Sequence, residues 1–396
     1  MNRGDTISLL TGEYPPQIGG VAGYTYHLAH ALARQGFRVE VITRQLSATD
    51  SRPGISSAEQ VTVANILPQG AFGLKACWYL LRHLSGRRYE RVIFQYVPHL
   101  YGRAGLAPLV AFAPLLFRLT GTKEVCTMFH EVMTRESDTI KKWVQWFFHI
   151  MQALLLVLFS QKLITNNPVN ANFLNGLAQT LRQKKCCKII PVGSNIALTK
   201  ATPEELARLK SSLNLAPDEL LLMVFSPFTV GKDLESCLQV LARLPKTTLV
   251  CLGGSPNPAR WAVLQTRAQS LGVTCRLRLI PGPLTERQIS HWLQTADVYL
   301  HTAHAGASGR STTLATALQH GLAVIAYEGA ETSAIFKNGE NILLVEPGDV
   351  CGIITHLKNL AQQPALLQNL RASAVDLYNS VASWETIVQS FCKALR

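Results

Sequence analysis

Gly12 to Thr43 reads GEYPPQIGGVAGYTYHLAHALARQGFRVEVIT, and it decides the fold because it joins a glycine-rich turn, an amphipathic helix and a buried strand in one run. Ahead of it, Thr6 to Leu10 (TISLL) is apolar enough for an inner parallel strand. Pro15, Pro16, Gly19 and Gly20 then bar regular structure until a helix starts near Val21, and Gly36 stops that helix. A second strand runs from Arg38 to Thr43. The result is a βαβ unit whose loop lies at a strand's carboxyl end. Paired glycines there let backbone N–H groups approach an anion, and the helix N-terminus aims partial positive charge at the same place. Such turns also serve packing alone, and these residues leave both readings open. The dinucleotide fingerprint needs G-x-G-x-x-G directly after the strand and an acid about 20 residues later. Here the second strand ends in Thr43 and Arg44, so a nicotinamide cofactor is not expected.

The same alternation continues outward. VTVANIL (61–67), RVIFQYV (91–97), KEVCTMFH (123–130) and KLITNN (162–167) are strand candidates separated by helical stretches. A turn, PVGSNI (191–196), precedes a second series: LLLMVFS from 220, TTLVCLGG from 247, CRLRLIPG from 275, VYLHTA from 298, LAVIAYEG from 322 and NILLVEPG from 341. Strands alternating with helices imply parallel sheets covered on both faces, with ligands at the strands' carboxyl ends. The 396 residues suit two domains of about 150–200 residues each. The expected class is therefore α/β, two Rossmann-like domains facing a central cleft. The expected division is 1–195, 196–375 and a C-terminal helical stretch, 376–396, free to return to the first domain.

Composition narrows the classes. With 47% hydrophobic and 16% charged residues, the chain is expected to fold throughout. Its nine cysteines form no C-x-x-C pair, which points to reduced thiols and no metal centre. His301 and His304 stand at i and i+3 but lack an evident third ligand. The net charge of +13 (38 basic minus 25 acidic) is uneven: Lys75, Arg82, Arg87, Arg88, Arg91, Arg103 and Arg118 face only Glu90 between positions 75 and 118. A basic face of this kind suits an anionic lipid surface or an anionic acceptor, or is simply solvated. No nucleic-acid-binding module is recognisable, and nucleic acid is not an expected partner.

Two apolar stretches, Leu106–Phe117 and Trp143–Phe159, read as buried helices. The first holds Pro108 and Pro114 and the second Gln145, His149 and Gln152, whereas a membrane span needs about 20 apolar residues. Trp143, Trp146, Phe147 and Phe148 beside Lys141 and Lys142 would still let one face dip into a bilayer surface. The opening MNRGDTISLL enters a strand at once, without the features of a secretory signal. The expected location is cytoplasmic, with the inner membrane face available for peripheral contact.

Several segments in order resemble a known family. PPQIGGVAGYTYHLAHALARQGFRVEVIT, QYVPHLYGRAG, MFHEV and PVGSN are similar to successive parts of the first domain of family 4 glycosyltransferases of the GT-B fold. CLGGS, LIPGPLTERQISHWLQTADVYLHTA, ALQHGLAVIAYEGAETSAIFKNGENILLVEPGD and ASWETIVQSF continue that order to the end. The resemblance implies transfer of a sugar from a nucleotide-sugar, held by the C-terminal domain, to a glycan or lipid-linked acceptor held by the N-terminal domain. It implies retention, no metal, and no cofactor beyond the nucleotide-sugar as co-substrate.

Carried over residue by residue, the resemblance puts Gly19, Gly20, Lys232, Ser308, Arg310, Ser311, Thr312 and Thr316 around the donor. It makes His130 the catalytic-side histidine and Tyr14, Tyr96, Tyr101 and Glu131 acceptor-side residues. A leaving diphosphate develops negative charge, which donors and cations such as Lys232 and Arg310 would stabilise. The family's glutamate pair falls on Ser308 and Thr316, and Pro227 stands where an arginine is usual. AGASGRSTTL (305–314) looks like a serine- and arginine-rich variant of that loop. These departures leave an alternative: an inactive relative that binds a glycan, lipid or partner protein.

Overall fold

A computed structural model describes residues 4–17, 19–46, 61–132, 139–216, 218–228, 231–254 and 258–395; Met1, Asn2, Arg3, Ile18 and Ser255 of the segments quoted above lie outside them. The chain divides into two compact units, Met1–Pro191 with Trp384–Arg396, and Val192–Ser383.

In the first unit, β1 (Thr6–Leu10), β2 (Arg38–Arg44), β3 (Val61–Leu67), β4 (Arg91–Tyr96), β5 (Glu124–Phe129), β6 (Lys162–Thr165) and β7 (Cys187–Ile189) form one sheet in the order β3-β2-β1-β4-β5-β6-β7. All described pairings are parallel, with Ile7 opposite Val39 on one side of β1 and Leu9 opposite Ile93 on the other. Helix Gly20–Arg34 buries Ala22, Leu28, Ala29 and Leu32, the stripe that helical periodicity predicts. Gly36 closes it at φ +90°, a conformation costly for any side chain. On one face of the sheet, Phe94, Tyr96, Val125 and Phe129 pack against Leu80 and Leu84 of helix Leu74–Leu84, Phe117 of helix Ala113–Leu119, and Ala153, Leu156 and Val157 of helix Ile140–Phe159.

The second unit holds β8 (Leu220–Phe225), β9 (Thr247–Leu252), β10 (Leu277–Ile280), β11 (Val298–His301), β12 (Ala323–Tyr327) and β13 (Leu343–Val345) in the parallel order β10-β9-β8-β11-β12-β13. Alternate residues of its strands feed separate cores: Leu221, Met223, Tyr299 and Val324 on one face, and Leu222, Val224, Leu300 and Ile325 on the other. Burial on both faces is why these strands read as continuous apolar runs.

Two boundaries differ from the sequence reading. Residues 192–195 of the turn belong to the second unit, because Val192 N–H donates to Gly309 O (2.8 Å) and Ser194 Oγ lies 2.9 Å from Thr316 Oγ1. Residues 376–383 stay there too, since Tyr378 and Ala382 enter its core. Only from Trp384 does the chain rejoin the first unit: Trp384 stacks on His27 with ring centres 5.3 Å apart, and Arg34 pairs with Glu385 at 4.0 Å.

The apolar stretches also differ from expectation. Residues 108–112 form 3-10 turns leading into helix Ala113–Leu119. Helix Ile140–Phe159 is buried along one stripe only, through His149, Gln152, Ala153, Leu156 and Val157, and its other side is apolar yet exposed.

Candidate active site

Each sheet has a point where the chain's connections diverge to opposite sides, between β1 and β4 in the first unit and between β8 and β11 in the second. In open parallel sheets such a point is where a crevice outside the strands' carboxyl ends binds ligands.

In the second unit, Lys232 sits at that point. Its backbone bridges to Ala303 after β11, and the flanking bonds Asp233 N–H to Thr302 O (2.8 Å) and His304 N–H to Gly231 O (3.0 Å) tie the two loops together. The Lys232 ammonium donates to Phe225 O at the end of β8. Burial lowers its pKa to about 8. Among the described residues no carboxylate pairs with it, which leaves its positive charge uncompensated at this point. His301 lies close by and is pushed down to about 3 by burial and then by Lys232, so it stays neutral. Asp233 accepts from Ser236 N–H (3.0 Å), capping helix Leu234–Arg243, and from Tyr327 OH (2.8 Å).

The serine- and arginine-rich loop lies after the same strand, β11. Gly306 (φ +95°) and Gly329 press backbone to backbone: a Cβ on Gly306 would lie 2.5 Å from Gly329 N. Ser333 Oγ accepts from Gly309 N–H at 2.9 Å. Arg310 Nε meets Glu331 Oε2 at 2.7 Å; this carboxylate is buried and comes from the loop after β12. Ser308 is buried and accepts from Arg310 N–H at 3.4 Å, and Ser311 caps helix Thr312–Gln319 through Leu314 N–H at 3.2 Å. Thr312 is that helix's first residue. Thr316 is buried, donating to Thr312 O at 2.7 Å with Ser194 as its other partner. The structure thus gathers Ser308, Arg310, Ser311, Thr312 and Thr316 on one loop and helix, with Lys232 in the neighbouring loop.

In the first unit, the loops after β1 and β4 touch so closely that a Cβ on Gly12 would lie 2.7 Å from Leu100 O. The start of the glycine-turn helix is occupied by the chain's own carboxylate: Glu13 Oε1 accepts from Val21 N–H (3.1 Å) and Ala22 N–H (2.9 Å). A Cβ on Gly19 would stand 2.2 Å from that oxygen, so Gly19 makes room for Glu13. The anion at this helix end is internal, a correction to the reading that Gly19 and Gly20 cradle a donor phosphate.

His130 follows β5 and is 8% exposed. Its Nε2 donates to Gln95 Oε1 at 2.7 Å and its Nδ1 accepts from Asn166 Nδ2 at 3.4 Å, while the edge of Tyr24 packs at 4.7 Å. Burial lowers its pKa to about 3, so the ring is neutral. Two acceptor-side expectations are corrected. Tyr96 and Tyr101 have no exposed surface; their hydroxyls donate inside the core, to Gln152 Oε1 (3.2 Å) and Gln95 O (2.7 Å). They fill the space under the β4 loop and shape it from below. Tyr14 is buried as well, beside Tyr26 at 6.2 Å, whereas Glu131 is exposed.

Sequence reasoning missed Glu331, Gln95, Asn166 and Ser194, because each meets its partner only through the fold. Glu13 had a signal: an acid shortly before a glycine-led helix with no acid in its first turn.

Comparison with known proteins places this arrangement. The chain is 23% identical to D-inositol 3-phosphate glycosyltransferase of Streptosporangium roseum, covering 95% of this chain and 88% of that one. It is 24% identical to the protein of the same description from Rhodococcus erythropolis, covering 96% and 86%. Its fold resembles sucrose-phosphate synthase of Thermosynechococcus elongatus (TM-score 0.72, 17% identity, 98% of each chain). It also resembles Anabaena HepE in complex with UDP (TM-score 0.73, 15% identity, 99% of each chain). Residues 19–167 match the glycosyl transferase 4-like domain, residues 222–363 match glycosyl transferases group 1, and the chain belongs to the family 4, group 1 glycosyltransferases.

Proposed function

We propose that this enzyme moves a glycosyl group from a nucleoside diphosphate sugar, bound by Val192–Ser383, to a glycan or lipid-linked acceptor bound by the first unit, with retention and without a metal. The observation that carries the reading is Lys232: a half-buried cation without a carboxylate partner among the described residues, at the β8/β11 crevice where such sheets bind ligands. Support for the donor class comes from HepE, solved with UDP, with UDP and glucose, and with UDP-glucose.

Breaking the bond from sugar to diphosphate leaves growing negative charge on the departing phosphate oxygens. Fixed cations lower that barrier because they need no reorganisation as the charge develops. Lys232 supplies one charge. Arg310 supplies a second, held in place by Glu331, which leaves the rest of its guanidinium available to donate. The neutral His130, with Gln95 and Asn166 fixing its tautomer, positions the acceptor side rather than carrying charge.

The test is titration calorimetry of UDP, GDP and ADP against the parent chain and Lys232→Met. One nucleotide should bind the parent, and the variant should lose roughly 10- to 100-fold in affinity, the range for a hydrogen bond to a charged group. Equal affinity in a folded variant would remove Lys232 from the donor site. The anomeric configuration of the product, followed by proton NMR from the first turnovers, tests retention.

A further inference from the structure

Helices Leu74–Leu84, Ala113–Leu119 and Ile140–Phe159 lie side by side on one face of the first sheet, burying their inner stripes in one core. Their outer faces are unusual for a water-facing layer. Leu74 (78% exposed), Trp78 (53%), Leu119 (72%), Ile140 (83%), Trp143 (57%) and Phe147 (55%) all point outward. The sequences LKACWYLLRHL, APLLFRL and IKKWVQWFFHIMQALLLVLF contain no Asp or Glu, yet carry Lys75, Arg82, Arg118, Lys141 and Lys142, all exposed. Arg82 lies over the Trp78 ring at 5.4 Å and Lys75 over Tyr79 at 6.0 Å, so cations and aromatic rings share the same ground.

We infer that this three-helix face docks on an anionic lipid surface. A second copy of the chain would set like charges against each other. A water-facing role would not expose three tryptophans (Trp78, Trp143 and Trp146) on acid-free helices. Tryptophan at the headgroup level with lysine and arginine beside it is what an anionic bilayer interface retains. Ile140–Phe159 is long and apolar enough to cross a membrane by length and composition. Its buried Gln152 and His149 instead fasten it to the domain, through Gly105 O at 2.9 Å and Ala104 O at 3.3 Å.

These fastenings give the docking a consequence for the site. The loop after β4 is held from both sides by the lipid-facing helices: by Gln152 and His149 from one, and by Phe72 N–H to Tyr101 O (2.7 Å) just ahead of the other. Leu74 and Ile140 begin helices that follow the carboxyl ends of β3 and β5, so the outer residues at these two helix starts lie toward the edge that carries the β1/β4 crevice, whereas Leu119, leading into β5, lies toward the other. The lipid surface therefore lies beside the proposed acceptor loops. The docking itself does not depend on the transferase reading.

The test is co-sedimentation of the full chain with vesicles of phosphatidylcholine alone and with vesicles containing phosphatidylglycerol. Binding is expected only to the anionic vesicles, weakening as salt rises. Lys141→Ala/Lys142→Ala should bind about thirty-fold more weakly at low salt, and Trp78→Glu/Trp143→Glu should not bind. Brominated phosphatidylglycerol should quench tryptophan fluorescence of the parent chain. Equal binding to neutral vesicles, binding to neither, or parent-like binding of both variants would overturn the inference. UDP-induced thermal stabilisation of the same samples reads the donor site separately, so failure of one reading is distinguishable from failure of the other.

Discussion

At the scale of single residues, burial lowers the pKa of two bases, half-buried Lys232 and buried His130. Lys232 has a folded pKa near 8, below the usual lysine value of 10.5. A diphosphate beside it favours the charged form, so nucleotide binding above pH about 8 takes up a proton. Affinity for the diphosphate is expected to fall up to about tenfold per pH unit between pH about 8 and 10, and to be flat in Lys232→Met; calorimetry in buffers of different ionisation enthalpy checks the proton count. His130 has a folded pKa near 3, below the usual histidine value of 6.5. Below pH about 6.5 the unfolded chain binds a proton that the folded chain refuses, so stability falls as pH drops from there toward 3. His130→Asn should flatten that acid limb by about 1.4 kcal/mol per pH unit, seen in urea unfolding curves from neutral to acidic pH. A slope identical to the parent's would mean His130 is charged when folded.

At the scale of elements, loops at the strands' carboxyl ends are held by bonds that a small change breaks. Gln152 joins helix Ile140–Phe159 to Tyr96 OH and Gly105 O. Gln152→Leu leaves both buried partners unsatisfied and is expected to cost roughly 2–4 kcal/mol, measured by chemical denaturation. Gly306 has φ +95°, and an added Cβ would meet Gly329 N at 2.5 Å and Thr332 Oγ1 at 2.2 Å. Gly306→Ala should therefore destabilise the second unit by roughly 2–4 kcal/mol and displace Arg310, weakening nucleotide binding as well as lowering the melting temperature. Unchanged stability would show that the β11 and β12 loops can separate freely.

At the scale of the whole molecule, the chain leaves the first unit at Pro191 and returns at Trp384. Trp384, Ile387, Val388 and Phe391 are buried, with Trp384 against Tyr24 and His27 on helix Gly20–Arg34. Trp384→Ala is expected to cost about 3–5 kcal/mol, the range for a large aromatic removed from a core, and to lower the transition of the first unit in calorimetry. Residues 192–383 are continuous in sequence and enclose their own cores, so expressed alone they should unfold cooperatively, whereas 1–191 alone should not.

The strands and their parallel pairing were legible because burial on both faces forces continuous apolar runs, and glycine and proline mark their ends; the order of strands within each sheet was not. Lys232 and the serine- and arginine-rich loop were singled out by the family resemblance, and the fold sets them in neighbouring loops after β8 and β11. Tyr96 and Tyr101 misled because a tyrosine in a loop segment looks the same whether its hydroxyl meets a ligand or a buried carbonyl. Glycine spacing suggested an anion at the first helix but could not say that Glu13 is that anion. Local periodicity and turn chemistry are properties of neighbouring residues, so the sequence determined by itself the alternation of strand and helix, the two sheets and the basic character of the first unit. The Arg310–Glu331 pair, the fixed His130 tautomer, the helix shared between chain ends and the gathering of exposed tryptophans with lysines join residues far apart in the chain. Only the tertiary structure decided these, because side-chain interactions act over a few ångströms and folding alone sets which residues come that close.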